Sequence, residues 1–297
     1  MNRTEDAFRA DIVEIGRRMY ARGYVASNDG NISIRLDAAT ILTTPKSVSK
    51  GFMTPDMMVV VDLDGKKIRG TRDASSELLM HLEVYRNRPD VRAVVHAHPP
   101  IATGFAVAGI PLDRAVLAEV VTTLGSIPIA EYGTPSTPEL PAAVRKYIKA
   151  HDGLLLANHG ALTIGPDVYA AYYKMETIEH FAKISLVTRQ LGRENLLSRE
   201  EVHRLQELRG NYGIKAPAPI CADGSEPASS ADQASCQTIE APASRGARLI
   251  PTDPADIHVN AAAVGTPDLD GEIRLSYREL AALIEDAVKA LLGGQHG

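Results

Sequence analysis

A stretch of small and polar residues divides this chain and limits what can fold as one unit. Residues 216–245 contain 18 Ala, Pro, Ser or Gly and no aromatic residue. Such a stretch cannot bury enough apolar surface to offset the entropy lost on ordering, which predicts a disordered Ala/Pro/Ser-rich linker over residues 216–272. We therefore expect residues 1–215, whose composition is balanced, to form the folded domain, and residues 273–297 to form a separate terminal helix.

Composition and charge exclude several classes of protein. A net charge of −5 leaves no basic face for nucleic acid or anionic lipid. No run approaches the ~18 apolar residues of a membrane span, and the mixed charges of the N-terminus are unlike a secretory or transit peptide. Both cysteines, Cys221 and Cys236, lie in the predicted linker, so a disulfide framework is excluded. The sequence therefore predicts a soluble cytoplasmic protein with no nucleic-acid or membrane partner.

Helical and strand-like periodicity alternate within residues 1–215. We predict helices at Ala7–Arg22, Ser75–Asn87 (with Ser75 as its N-cap) and Pro166–Leu191. We predict strands at Asn31–Leu36, Ile41–Thr44, Met58–Leu63, Val91–His98 and Gly153–Ala157. Because the early strands are joined by short, hairpin-like connections, the pattern favours an α/β fold of three layers, α/β/α, with a mixed or antiparallel sheet.

The strongest chemical signal is the pair His96 and His98 at the end of a predicted strand. Side chains alternate along a strand, so both imidazoles point to one face and could bind one metal ion. The alternative is that these two histidines bind no ligand. An apolar run precedes them and a proline pair follows them, which places both histidines at the end of a strand. Ligand sites in α/β sheets lie at such strand ends. His159 follows a second buried strand in the same way. Three such histidines with an open position form a catalytic zinc arrangement.

Three short polar segments could together bind an anion. Ser75–Glu77 opens a predicted helix, whose first N–H groups and hydroxyls suit a phosphate or carboxylate, although an ordinary N-cap is the alternative. Asp29–Asn31 and Thr44–Ser47 are either turns or further parts of the same cradle, to which Lys46 adds a positive charge. These residues indicate a metal-dependent enzyme acting on a small phosphorylated or carboxylated substrate.

Six motifs occur in order over about residues 7–215: Gly30–Ser33 (GNIS), Leu42–Pro45 (LTTP), Ser75–Glu77 (SSE), Ala93–Pro99 (AVVHAHP), Leu155–Gly160 (LLANHG) and Asn211–Ile214 (NYGI). In this order and spacing the chain resembles the class II aldolase/adducin family, specifically its bacterial L-fuculose-1-phosphate aldolase type. The resemblance implies a class II aldolase-like α/β/α fold with a mainly antiparallel central sheet. The six motifs are highly specific for the family but much less specific for the substrate.

The resemblance also implies roles for individual residues. It implies zinc held by His96, His98 and His159, with Mn²⁺ or Co²⁺ as alternatives because both also accept three imidazoles and an oxygen. Glu77 would act as the acid/base and could also contact the metal. Related enzymes are homotetramers in which a C-terminal tyrosine, here Tyr212, contributes to the active site. The implied phosphate ligands are Asn31, Lys46, Ser47, Ser75 and Ser76.

The activity that the resemblance implies is retro-aldol cleavage of a ketose 1-phosphate to dihydroxyacetone phosphate and an aldehyde such as lactaldehyde. L-ribulose-5-phosphate 4-epimerase, which has Asp where Glu77 stands, is an alternative. Aldolases of 5-deoxy- or methylthio-ribulose phosphates and 3-oxo-tetronate 4-phosphate decarboxylases are others. The non-enzymatic alternative is an adducin-like scaffold, a branch that lacks the metal-binding histidines.

Two positions depart from the aldolase pattern. The family's tyrosine that serves the departing aldehyde oxygen has no counterpart in Val116–Glu119, which leaves Glu119, Tyr132 and Tyr212 as candidates for that proton. Lys46 and Ser47 stand where the fuculose enzyme has smaller residues, so the phosphate geometry or the substrate length is expected to differ.

The terminal segment, residues 273–297, carries one apolar stripe, formed by Tyr277, Leu280, Ile284, Val288 and Leu291. A helix of ~17 residues is marginal alone in water, so it needs a partner surface. Docking on its own subunit or on a neighbour is one interpretation. A helix on a long disordered tether also resembles the encapsulation peptides that target enzymes into bacterial microcompartments. We favour encapsulation, with a shell protein or other cargo as partner, because self-docking needs no long linker.

Overall fold

The computed structural model describes residues 3–211 together with residues 214 and 220. Within them the α-helices are α1 Glu5–Ala21, α2 Leu78–Asn87, α3 Pro100–Ala108, α4 Ala118–Thr123, α5 Glu139–Arg145, α6 Val168–Gln190 and α7 Arg199–Asn211. The strands are β1 Asn31–Arg35, β2 Thr40–Thr43, β3 Val59–Asp62, β4 Lys67–Arg69, β5 Ala93–Ala97, β6 Ile129–Ala130, β7 Gly153–Leu156 and β8 Gly160–Gly165. Short 3₁₀ helices lie at Lys50–Phe52 and Pro55–Met57. Apart from residue 220, the predicted linker and the predicted terminal helix lie outside the described residues.

The eight strands form one sheet in the order β4-β3-β2-β1-β5-β8-β7-β6. Every neighbouring pair is antiparallel except β6 and β7. The predicted mainly antiparallel sheet is therefore confirmed. Among the helices that the structure describes, none is long and apolar enough to cross a membrane.

Helices cover both faces of the sheet and create two apolar cores. On one face α1, α3 and α6 contribute Ile12, Phe105 and Tyr172 to a core that includes Val60 of β3. On the other face α2 and α5 pack against residues that alternate with these along the strands, such as Val59 and Val61 of β3. A strand buried on both faces has apolar residues at successive positions. The predicted three-layer α/β/α arrangement is confirmed.

Two local predictions differ from the structure. α2 begins at Leu78 instead of near Ser75, and Glu77 occupies its N-cap position, so the prediction that Ser75 is the N-cap is wrong. Ser75 instead opens a turn that precedes the helix, in which its carbonyl accepts from the Leu78 N–H and its Oγ accepts from the Glu77 N–H. Strand β8 was not predicted, because it has a glycine at each end and Thr163 in the middle, and so shows neither alternation nor an uninterrupted apolar run.

The antiparallel pairing of the central strands determines which residues meet. β5 lies between β1 and β8 and is antiparallel to both. The carboxyl end of β5 therefore lies beside the amino ends of its two neighbours, with Asn31 opposite His96 and Ala161 opposite Ala97. This edge of the sheet brings together the end of β5, the start of β1 and the turn before β8.

We expect the packing of β8 to be a large source of stability. Leu162 is fully buried in the core beneath α2 and α5. Its replacement, Leu162→Ala, should lower the free energy of unfolding by about 2–5 kcal/mol because it removes buried methyl groups and leaves a cavity. Leu191→Ala, at a side chain that is 75% exposed, should change it by less than about 0.5 kcal/mol. Urea denaturation measures both, and equal effects would contradict this description of the core.

Candidate active site

Three histidines converge at the carboxyl end of β5. His96 lies in β5, His98 follows it, and His159 lies in the turn between β7 and β8. One ring nitrogen from each lies within 4.8 Å of the others. The Nε2 atoms of His96 and His98 are 3.2 Å apart. Two ligands about 2.1 Å from one tetrahedral ion are separated by roughly 3.3 Å, so this spacing suits a shared metal.

Neighbouring groups orient the imidazoles toward one another. His96 Nδ1 donates to the Ala161 carbonyl oxygen at 2.9 Å, which leaves the Nε2 lone pair free to face the cluster. His98 Nδ1 lies 3.5 Å from Asp29 Oδ2. His159 Nδ1 is buried and has no hydrogen-bond partner among the described residues. The other ring nitrogen of His159, Nε2, lies 3.0 Å from Glu77 Oε1, so it is the nitrogen that faces the cluster.

Burial keeps two of these histidines in the neutral form that metals bind. Loss of hydration lowers the pKa of His96 well below its usual range. Burial also lowers the pKa of His98, with the nearby His159 acting in the same direction. Both rings therefore present lone pairs at neutral pH.

Glu77 brings a carboxylate to the same cluster. Its Oε1 lies 3.0 Å from His159 Nε2 and its Oε2 lies 3.5 Å from His96 Nε2. Burial alone would raise the pKa of Glu77, but the imidazoles of His96 and His159 and a hydrogen bond from Asn31 outweigh it and lower the pKa of this carboxyl. The site therefore presents imidazole nitrogens and one ionised carboxylate. This donor set fits a divalent cation such as Zn²⁺, and Mn²⁺ and Co²⁺ accept it as well.

A cavity of about 260 Å³ opens in front of this cluster. The sequence-predicted residues that line it are Asn31, Lys46, Ser47, Ser75, Ser76, Glu77, His98 and His159. His96 lies behind them and is fully buried. The structure thus brings the predicted metal ligands and the predicted phosphate ligands to one place.

Backbone pairing joins the two loops that carry the predicted phosphate ligands. Pro45 and Ala74 form an isolated antiparallel bridge, and the Lys46 N–H donates to the Asp73 carbonyl. These bonds put Thr44 beside Ser75, and Ser47 and Ser75 both line the cavity. Ser47 has a φ of 58°, a left-handed conformation that costs energy for a residue with a Cβ. The Lys46 side chain is exposed at the rim, so its charge is largely hydrated.

A chain of buried polar groups that the sequence did not reveal runs behind Glu77. The Asn31 amide nitrogen donates to Glu77 Oε2 at 2.8 Å, and Asn31 Oδ1 contacts His81 Nε2. His81 Nδ1 lies 2.7 Å from Ser33 Oγ, which lies 2.8 Å from the Tyr85 hydroxyl. His81 had no predicted role. Its position four residues after Glu77, on the same face of α2, was the one signal for it.

The carboxylate fixes the direction of every hydrogen bond in this chain. An ionised carboxylate only accepts, so the Asn31 amide nitrogen must face Glu77 and its oxygen must accept from His81 Nε2–H. Burial lowers the pKa of His81 to about 4, so its ring is neutral and Nδ1 accepts from Ser33. Tyr85 then donates to Ser33. This chain of hydrogen bonds holds the Glu77 carboxylate in one orientation.

The two described candidates for the residue that serves the aldehyde oxygen, Glu119 and Tyr132, do not line this cavity. Glu119 is exposed on α4 and Tyr132 is exposed beyond β6, and neither lines the cavity. Tyr212 directly follows α7 and lies outside the described residues. Among described residues that the sequence did not suggest, Asn28 and Lys50 also line the cavity.

We predict that the histidine cluster binds one divalent cation per chain. His159→Ala should lower the Zn²⁺ content after desalting to well below that of the unchanged protein, because one ligand is lost. His203→Ala is the control, since that histidine is exposed on α7. Elemental analysis gives the stoichiometry, and Co²⁺ absorption reports the coordination. Equal metal content in both variants would contradict the site.

We also predict that the Asn31 amide contributes to stability. Asn31→Leu leaves buried groups of Glu77 and His81 without their partner and should lower the free energy of unfolding by about 1–3 kcal/mol. Asn195→Leu, the same change at an exposed position, should have little effect. Urea denaturation of the metal-free proteins measures both. A loss no larger than that of the control would show that the chain of hydrogen bonds contributes nothing.

Proteins of three activities are similar to the folded part of this chain. It is 35% identical over 181 residues to an L-fuculose phosphate aldolase of Methanococcus maripaludis, covering 61% of this chain and 97% of that protein. It is 33% identical to a 5-deoxy-D-ribulose 1-phosphate aldolase of Bacillus thuringiensis, covering 69% and 96%. It is 32% identical to a 3-oxo-tetronate 4-phosphate decarboxylase of Pectobacterium atrosepticum, covering 62% and 86%.

The fold and the family agree with these relatives. A solved structure of an L-fuculose 1-phosphate aldolase superposes with a TM-score of 0.64 at 28% identity, covering 68% of this chain and 95% of that one. Residues 10–186 match the family described as Class II Aldolase and Adducin N-terminal domain. That match spans more than half of the chain and contains the histidine cluster and Glu77. This chain is a member of the class II aldolase and adducin family.

Proposed function

We propose that this protein is a metal-dependent lyase that cleaves a ketose 1-phosphate, of the L-fuculose-1-phosphate type, to dihydroxyacetone phosphate and an aldehyde such as lactaldehyde. The observation that carries the proposal is the ionised Glu77 carboxylate held between His96 and His159 at the wall of a polar cavity. The family membership and the names of the relatives support aldolase chemistry.

The proposed metal ligands are His96, His98 and His159, with Glu77 as a ligand before substrate binds. When bound there, a divalent cation, with zinc our first choice, would act as a Lewis acid toward the negative charge that develops as the carbon–carbon bond breaks. The buried position of His96 and its bond to Ala161 hold the cluster rigid and keep water from the back of the site.

Glu77 is the proposed acid/base at the carbon next to the carbonyl. Because this carboxyl is ionised in the free protein, it can accept a proton from dihydroxyacetone phosphate in the condensation direction. In cleavage the ionised carboxyl must first take up a proton, in balance the one that the substrate hydroxyl loses as it becomes an aldehyde, and it then delivers a proton to the same carbon. Asn31 remains bonded to Oε2, so the other oxygen is the one that transfers the proton.

The proposed phosphate ligands are Asn31, Lys46, Ser47, Ser75 and Ser76, which all line the cavity.

In cleavage the substrate hydroxyl must also lose a proton as it becomes an aldehyde, and we propose Tyr212 for this step on the family resemblance. Tyr212→Phe should then slow cleavage while leaving metal content unchanged. Unchanged cleavage would remove Tyr212 from the mechanism.

Decarboxylation of a 3-oxo-tetronate 4-phosphate is the second candidate, favoured by the 32% identity to an enzyme of that name. Both reactions break a carbon–carbon bond and leave the same kind of carbanion, so one site can serve either. Release of carbon dioxide from the oxo acid, with no aldehyde released from any ketose phosphate, would favour this candidate. An adducin-like scaffold, by contrast, would bind no metal and cleave neither substrate.

Two features of assembly also belong to the proposal. A homotetramer is expected from the family resemblance, and light scattering on the purified chain measures it. Encapsulation through residues 273–297, with a cytoplasmic or microcompartment location, rests on the sequence alone because these residues lie outside the described part. Fusion of the segment to a fluorescent protein tests it: co-purification with shell proteins would support encapsulation, and its absence would overturn it.

We predict that Glu77→Gln abolishes most of the activity while the three histidines retain metal. The rate of dihydroxyacetone phosphate release should fall by about 10²–10⁴, the usual contribution of a positioned acid/base. The assay couples release to NADH oxidation with fuculose, rhamnulose, 5-deoxyribulose and methylthioribulose 1-phosphates, with and without chelator. Glu207→Gln, an exposed glutamate on α7, is the control. Equal rates for the two variants would refute the role of Glu77.

A further inference from the structure

Lys50 is a buried cation in the wall of the candidate active site. Its residue is 2% exposed, yet it lines the same cavity as Ser75, Ser76 and Glu77. The ammonium donates to the Asn28 carbonyl at 2.9 Å and to the Val48 carbonyl at 2.7 Å. Lys50 lies in the first 3₁₀ helix, and the backbone of this helix packs closely on α1. A Cβ at Gly16 of α1 would lie only 2.6 Å from the Lys50 carbonyl oxygen.

The charge of Lys50 has no direct counter-ion in the described part of the chain. None of the described carboxylates forms an ion pair with its ammonium within 4.0 Å. Burial lowers the pKa of Lys50 to about 8, although the more distant Asp29 and Glu77 act to raise it. A buried cation without a partner is costly, and an anion in the cavity would offset that cost.

The ammonium also has hydrogen-bonding capacity to spare. It carries three N–H donors, and the two carbonyls use two of them. The Lys46 residue is exposed, so water screens the attraction of its ammonium to a ligand, whereas Lys50 is buried and its charge is screened less. Lys50, and not Lys46, is the stronger electrostatic partner for a bound anion.

We infer that Lys50 is the principal cationic contact for the phosphoryl group of the substrate and makes the site select phosphorylated over neutral sugars. A phosphate monoester carries close to two negative charges at neutral pH and suits a cavity lined by an ammonium and by serine hydroxyls. This inference rests on the proposed function and adds to it a specificity-determining residue.

Binding of inorganic phosphate to the zinc-loaded full chain, measured by calorimetry after removal of free zinc, tests the inference. Lys50→Met should weaken phosphate binding by about 10-fold or more, as expected for loss of a charge-assisted hydrogen bond. Lys149→Met is the control for net charge, because it removes one exposed positive charge at a residue that does not line the cavity. This variant should bind phosphate as tightly as the unchanged protein does. Lys50→Arg should retain part of the affinity.

The outcomes separate this inference from the proposed function. Phosphate binding that is equal in the unchanged protein and in folded, metal-loaded Lys50→Met would overturn the role of Lys50 and leave the aldolase proposal standing. Absence of phosphate binding and of cleavage in the unchanged protein would overturn the proposed function itself. If Lys50→Met does not fold, phosphate titration of the unchanged protein with ¹³Cε-labelled lysine decides: a shifted Lys50 resonance supports the contact, and an unshifted one overturns it.

Discussion

The antiparallel pairing of β5 with both β1 and β8 is the constraint on which the site depends. It places Asn31 opposite His96 and puts the turn that carries His159 beside the carboxyl end of β5. A slip of one residue in either pairing would turn His96 to the other face of the sheet, away from its partners. The helices on both faces hold the register by burying every residue of β5 and β8.

Electrostatics then give the cluster its chemical character. Burial lowers the pKa of His96 and of His98, while the His96 and His159 imidazoles and the hydrogen bond from Asn31 lower the pKa of the Glu77 carboxyl. The ionisation of Glu77 therefore depends on the residues that surround its carboxylate. The Glu77 carboxylate and the Lys50 ammonium both line the cavity and polarise the space between them. Such a space suits the proposed substrate, which carries both a reacting carbonyl and an anion.

The sequence predicts the architecture and the convergence of the three histidines because both follow from the positions of the strands. Strand alternation indicated that His96 and His98 share a face, and apolar runs with short connections indicated a layered antiparallel sheet. Lys50 and His81 escaped prediction because their roles arise from long-range packing: Lys50 is buried by the approach of its loop to α1, and His81 meets Asn31 across the sheet. The N-cap prediction at Ser75 failed because a turn at residues 75–78 precedes the helix and the sequence does not distinguish such a turn from the first turn of a helix.

Exchange of hydrogen at C3 of dihydroxyacetone phosphate with deuterium oxide is the most direct test of the central claim, that Glu77 moves a proton at the carbon beside a metal-polarised carbonyl. This half-reaction needs no aldehyde and so does not depend on which sugar the protein cleaves. The account predicts stereospecific loss of one C3 proton signal by nuclear magnetic resonance, abolished by chelation and restored by zinc. No exchange by the metal-loaded protein at saturating dihydroxyacetone phosphate would contradict it.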